Sequence, residues 1–199
     1  KTKMSKGNLF IVTGPSGAGK GTVLSRLLPA MERLHCSVSA TTRQPRPGEQ
    51  DGVNYYFLAK PAFEEMIRRN EFLEYAEYVG NYYGTPAAPV DECLEKGIDV
   101  ILEIEVQGAL IVKEKRPEAR LVFIIPPSFA DLELRLRSRG SESAEAIQKR
   151  LAKAREEYAS ADQYDYIVVN DQVEGAAEEL RSIIQAARCA ADRRINLLR

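Results

Sequence analysis

The sequence predicts an α/β fold: a parallel sheet covered by helices on both faces, carrying a small mixed α+β insertion and a separate helical excursion. Three observations predict it. Continuous apolar runs recur at 9–13, 98–105, 121–125 and 166–169, as expected of strands buried on both faces. Segments with apolar residues at helical spacing lie between and after them, and strands alternating with helices belong to parallel crossover connections. Two stretches, 41–89 and 131–157, interrupt that alternation.

The elements follow in order. Residues 9–13 form a short strand that ends in a glycine-rich turn. After Lys20 the positions Val23, Leu24, Leu27, Leu28 and Met31 repeat at helical spacing, and Pro29 should kink or interrupt that helix. A short strand is expected at 37–40. Residues 41–89 are rich in Tyr, Arg, Gly and Pro, with strand-like pieces at 55–58, 72–78 and 82–85 around one helix at 62–69. A helix at 90–96 leads into the strand at 98–105. The run at 121–125 is stopped by Pro126-Pro127, and helices are expected at 129–138 and 144–160, dense in arginine. The run at 166–169 is stopped by Asn170-Asp171, and a last helix covers 174–194. The chain therefore divides into a core (1–40, 90–130 and 158–199), an insertion (41–89) and a helical excursion (131–157).

Composition narrows the function. The 199 residues carry a formal net charge of −1, without the basic excess of a nucleic-acid binder. No apolar run approaches the roughly 20 residues that span a bilayer, and the basic start has no apolar stretch behind it. A cytoplasmic protein is expected. Cys36, Cys93 and Cys189 are far apart and read as reduced thiols. No metal-ligand spacing appears, and His35, the single histidine, leaves little room for a Ser-His-Asp or Cys-His hydrolase.

The sharpest motif is Gly14-Pro15-Ser16-Gly17-Ala18-Gly19-Lys20-Gly21-Thr22. It follows a strand and opens a helix, the context a phosphate-binding P-loop requires. Its glycines let successive backbone amides point at phosphate oxygens, and the helix N-terminus adds its positive end. Lys20 supplies a mobile cation. Gly21 stands where a magnesium-ligating Ser or Thr usually follows the lysine, so no direct protein ligand to Mg²⁺ is expected.

Further ordered motifs extend the pattern: Ser37-Val-Ser39-Ala-Thr-Thr-Arg43 with Arg46 and Glu49, Asn54-Tyr55, Glu71-Phe-Leu-Glu74, Gly80-Asn-Tyr-Tyr83-Gly-Thr85, Glu103-Ile-Glu105-Val-Gln-Gly108, Pro126-Pro-Ser128, Arg139-Gly140, Lys149-Arg150-Leu151 and Val169-Asn-Asp171. Together they resemble the guanylate kinase family over nearly the whole chain. The resemblance implies a P-loop NTPase core, a GMP-binding insertion and a lid that closes over ATP. It implies transfer of the γ-phosphoryl of ATP to GMP or dGMP.

The residues can be read chemically beside it. Arginine forks and phenols suit a phosphate dianion, and the resemblance assigns Arg43, Arg46, Glu49, Tyr55 and Tyr83 to the GMP phosphate region. Guanine presents two adjacent donors where adenine presents an acceptor, so an ionised carboxylate fits guanine and repels adenine. The resemblance gives that part to Glu74, with the Ser39 and Thr85 hydroxyls nearby and Glu103 and Glu105 at the acidic positions beside the base. Many relatives carry Asp at the last two. It also assigns Arg135, Asn170 and Asp171 to the ATP side, and Arg139 and Arg150 to the lid. Arg137 has no firm counterpart.

The acceptor oxygen is already anionic, so no general base is required. Catalysis is alignment plus charge neutralisation by Lys20, Arg43, Arg139, Arg150 and Mg²⁺ held by ATP phosphates and water. The alternatives are a non-enzymatic interaction module of the same fold, which would not need an intact cradle, and a kinase for another small acceptor, which would not need Glu74.

Overall fold

The structure is a computed structural model that describes residues 5–138 and 143–198. Its chain order is β1 (Leu9–Thr13), α1 (Lys20–Leu27), β2 (Leu34–Cys36), β3 (Ala40–Thr41), β4 (Tyr56–Phe57), α2 (Lys60–Arg68), β5 (Phe72–Tyr78), β6 (Asn81–Pro86), α3 (Ala87–Glu95), β7 (Asp99–Glu103), α4 (Val106–Lys115), β8 (Arg120–Ile125), α5 (Phe129–Ser138), α6 (Ala144–Tyr158), β9 (Tyr166–Val169), α7 (Val173–Arg188) and α8 (Ala191–Arg194).

A five-stranded sheet in the order β2-β7-β1-β8-β9 forms the core, and all its pairings are parallel. The four apolar runs supply β1, β7, β8 and β9, and in β1 alternate residues serve opposite faces. Phe10 and Val12 pack with Val23, Leu24 and Leu27 of α1 and Leu180 and Ile184 of α7. Leu9 and Ile11 pack with Val90 and Leu94 of α3 and Ala109 and Val112 of α4. Both faces of β1, β7 and β8 are therefore covered, and the ends of the strands are left to build a site. Strand β9, at the sheet edge, departs from the expected burial on both faces, with Tyr166, Ile167 and Val169 exposed.

Pro29 does interrupt the first helix: α1 stops at Leu27 and a single 3-10 turn, Leu28–Ala30, follows. The strand expected at 37–40 is displaced, with β2 before it and β3 at its end. The last helix breaks at Cys189. Helix α4 was not expected from the sequence. Val106, Ala109 and Val112 face the core, but Leu110 and Ile111 extend the apolar surface around the helix, so no single stripe marks it.

Residues 40–86 form a second sheet in the order β4-β3-β6-β5. It has its own small core, in which Phe63 of α2 stacks between Phe72 and Tyr82 at centroid distances of 4.3 and 5.3 Å. Helices α5 and α6 pack on each other through Leu132, Leu136, Ile147, Leu151 and Ala154.

Candidate active site

The cradle lies between the end of β1 and the start of α1. Gly14 has φ +146°, and a Cβ there would meet the Ile124 carbonyl oxygen at 2.1 Å. Gly19 caps α1 in the left-handed region at φ +85°. A Cβ there would lie 2.4 Å from Asn170 Nδ2. The glycine signature thus reflects both backbone curl and crowding from the adjacent strands.

Lys20 Nζ donates to the Gly14 carbonyl at 2.6 Å. Burial pushes its pKa down, while Glu103, Glu157 and Glu105 pull the other way. A cavity of about 440 Å³ opens over it, lined by Ser16, Glu103, Glu105, Arg150, Lys153 and Glu157 among others. A second cavity, of about 520 Å³, is lined by Ser39, Glu74, Tyr83 and Gly108. The two share Tyr55, Glu103, Ile104 and Glu105 as a common wall. One cavity thus holds a lysine on a phosphate cradle, and its neighbour holds a buried carboxylate.

That carboxylate, Glu74, is 9% exposed. Its Oε1 accepts a 2.7 Å hydrogen bond from Thr85 Oγ1. Burial raises its pKa, with the Thr85 bonds and Lys115 opposing. Gly108 of α4 leaves room for it, since a Cβ there would sit 2.9 Å from Glu74 Oε2. Ser39 lines the same cavity.

Arg43 is held rather than loose. Its guanidinium donates to both Glu49 carboxylate oxygens at 2.9 Å and lies over the Tyr55 and Phe57 rings at 5.4 and 5.8 Å. Glu49 also accepts from the Arg46 backbone N–H at 2.7 Å. The Arg43 pKa is raised, first by the Glu49 hydrogen bond. Glu49 is therefore engaged with the arginine loop, and the Arg46 side chain is exposed.

The helices after β8 supply basic groups from the other side. Arg150 Nη1 donates to Ser16 Oγ in the cradle at 2.6 Å. Arg135 Nη2 donates to the Asn170 carbonyl at 2.8 Å, and Asn170 Nδ2 donates to the Ala18 carbonyl at 2.8 Å. Asn170 thus braces the cradle from the end of β9, next to the exposed Asp171. Arg137 pairs with Glu133 one turn away, a helix-surface arrangement. Arg139 lies outside the described residues.

Two residues of the first cavity were not singled out from the sequence. Lys153 and Glu157 follow Arg150 by three and seven positions on α6, and that helical spacing was the available signal. Lys153 Nζ reaches Glu105 Oε2 at 2.6 Å. Among the described residues no group of three or more His, Cys, Asp or Glu is arranged to hold a metal ion.

The comparisons agree with this geometry. A family profile described as guanylate kinase matches residues 6–187. The guanylate kinase of Desulfitobacterium hafniense is 48% identical over 192 residues, covering 96% of this chain and 96% of that protein. A Thermus thermophilus guanylate kinase is 54% identical over 186 residues, covering 94% of this chain and 83% of that protein. The crystal structure of guanylate kinase from Anaplasma phagocytophilum matches with a TM-score of 0.75 at 31% identity, covering 96% of this chain and 90% of that one.

Proposed function

The chain belongs to the guanylate kinase family and transfers the γ-phosphoryl of ATP to GMP; from that premise we propose how its residues divide the reaction. The observation that carries the assignment is the pair of adjoining cavities, one over Lys20 and one over Glu74, with Tyr55, Glu103, Ile104 and Glu105 between them.

ATP phosphates lie on the backbone of Gly14 to Thr22, with Lys20 at the transferring phosphoryl. Burial makes the lysine's charge costly until an anion arrives, which favours phosphate binding. Arg150 and Arg135 already reach the cradle and the Asn170 carbonyl, so they are placed to turn onto phosphate oxygens and, for Arg135, the adenine side. The Asn170 Oδ1 atom is buried without a partner among the described residues, and it is the acceptor an adenine amine would meet near Asp171.

GMP occupies the second cavity. Glu74 accepts from the guanine N1 and N2 donors, with Ser39 and Thr85 beside it and Glu105 near the amine. Arg43, Arg46, Tyr55 and Tyr83 take the phosphate, and Glu49 holds the Arg43 fork in place. dGMP presents the same base edge and phosphate to these residues, and we propose it as a second acceptor.

Mg²⁺ fits this donor set as a companion of the ATP phosphates, not as a protein-held ion. Gly21 offers no hydroxyl, and the exposed Glu103 at the end of β7 suits a hydrogen bond to a metal-bound water. When bound, the ion neutralises charge on the transferring phosphoryl. The free cysteines, with the Cys36 thiol pushed up to about 11 by burial, suit a reducing cytoplasm.

We further propose that residues 41–89 and 131–157 are the moving parts that close over the two nucleotides. The test of the whole assignment is a coupled assay of ADP formation with GMP, dGMP, AMP, CMP and UMP. Turnover confined to GMP and dGMP is expected. Comparable turnover with AMP would overturn the part given to Glu74.

A further inference from the structure

Lys153 stands on the exposed side of α6, yet its ammonium crosses to the core and donates to Glu105 Oε2 at 2.6 Å. Glu105 is the residue before α4 and belongs to the wall shared by both cavities. It is 75% exposed on its side chain, so it is open to whatever enters. Its Oε1 carries no hydrogen bond among the described residues, whereas Oε2 is taken by the lysine. Glu157, one turn further along α6, is also within 3.9 Å of the Lys153 ammonium.

We infer that Lys153 is a positioning residue for the acceptor nucleotide: it orients Glu105 and supplies the counter-charge that lets this carboxylate be covered by guanine. An exposed ion pair contributes little in water. The situation changes when a flat base slides over Glu105 and removes its water. A carboxylate covered without a counter-ion pays a large desolvation cost. Lys153 offsets that cost on one oxygen and leaves the other to accept from the guanine amine. Opposing burial, the hydrogen bond and charge of Glu105, with Glu157 and Tyr78, raise the lysine's pKa and keep it protonated. Tyr78 lies at the tip of the β5–β6 hairpin, so Lys153 sits where core, insertion and lid helix converge. Because the lysine comes from the segment that also carries Arg150 to the cradle, GMP affinity depends on the placement of α6. The sequence signal is modest: a lysine three positions after Arg150.

The inference rests on the placement of Glu105 in the GMP cavity, and the experiment separates the two. Steady-state kinetics and calorimetric GMP binding are measured for Lys153→Met, Lys153→Arg, Glu105→Gln and the double variant Glu105→Gln/Lys153→Met, each checked for an unchanged Tm. Lys153→Met should raise KM and Kd for GMP about tenfold, the scale of one charge-assisted hydrogen bond. The KM for ATP and kcat should each change several-fold less than the KM for GMP. Lys153→Arg should recover most of the loss. In the Glu105→Gln background, removing the lysine should add nothing. An unchanged or lowered KM for GMP, an equal rise for ATP, or a full additional loss in the double variant would overturn the inference. Unaltered GMP binding by Glu105→Gln would instead overturn the placement of Glu105.

Discussion

Thr85 Oγ1 donates a 2.7 Å hydrogen bond to Glu74 Oε1, and the two residues are directly paired across β5 and β6. The bond orients a carboxylate that is otherwise buried, and it leaves the second oxygen beside Gly108. A group held this way reads a base edge with little freedom to adapt. Glu74→Gln keeps the shape and the Thr85 contact but turns an NH₂ toward a guanine donor. The expected loss in kcat/KM for GMP is about 2–4 kcal/mol, because an unpaired buried donor is costly and charge-assisted bonds are strong. The KM for ATP should barely move. Kinetics in both substrates check this, and equal losses would make Glu74 a structural residue.

The same carboxylate predicts a pH dependence. Burial raises its pKa above the ordinary 4.5, against the Thr85 bonds and Lys115. Guanine needs the ionised form, so kcat/KM for GMP should fall on acidification at a pH above 4.5. The GMP phosphate titrates near pH 6 by analogy with phosphorylated side chains, and it does so equally in Glu74→Gln. The inflection that differs between the two enzymes belongs to Glu74. Stability has the opposite sign. A raised folded-state pKa means the charged group costs stability above that pKa; the cost shrinks as pH falls through it and is gone below the ordinary 4.5. Glu74→Gln should therefore have a Tm at neutral pH at least as high as the parent. Superimposable pH profiles would refute the assignment.

Much of this was legible in the sequence, and the exceptions have physical causes. The strand at 9–13 stands where its apolar run lies, because a strand buried on both faces has little choice of residue. The run at 166–169 is also a strand, but an edge one with Tyr166, Ile167 and Val169 exposed. The cradle glycines were read as backbone curl, but the crowding by Ile124 and Asn170 depends on neighbouring strands and is invisible locally. Helix α4 was missed because its apolar residues surround it. Asn170 was read as an adenine-side residue; its bond to the Ala18 carbonyl spans 152 positions and no short motif encodes it. For Lys153 the sequence offers only its helical spacing from Arg150, and that spacing gains meaning once the fold places Glu105 opposite.

Glu49 gives a prediction that separates holding from binding. It fixes both nitrogens of the Arg43 fork and also accepts from the Arg46 backbone. A fork fixed in advance loses less freedom when it grips a phosphate. Glu49→Gln should raise KM for GMP several-fold, leave KM for ATP alone and change kcat less than KM. A fall in KM for GMP would show instead that Glu49 competes with the phosphate for Arg43.

The last prediction concerns motion. Donor and acceptor phosphates carry several negative charges, and water must be kept from the transferring phosphoryl. A site open enough to admit two nucleotides cannot also exclude solvent, so the insertion and the α5–α6 lid should approach each other when both are bound. The structure shows what the nucleotides must displace. Arg150 is bonded to Ser16 and Arg135 to the Asn170 carbonyl. Each guanidinium already has a partner within the protein, and phosphate oxygens are stronger acceptors than a hydroxyl or carbonyl. Exchange of partners can therefore draw the segments inward, most fully when both phosphate groups are present. Spin or dye labels on exposed Val53 and Glu145, each replaced by Cys, report the gap directly. Cys189 is exposed and would first be changed to Ser. The distance should shorten with GMP plus a non-hydrolysable ATP analogue, and shorten less with either alone. An unchanged distance distribution at saturation with both would refute closure.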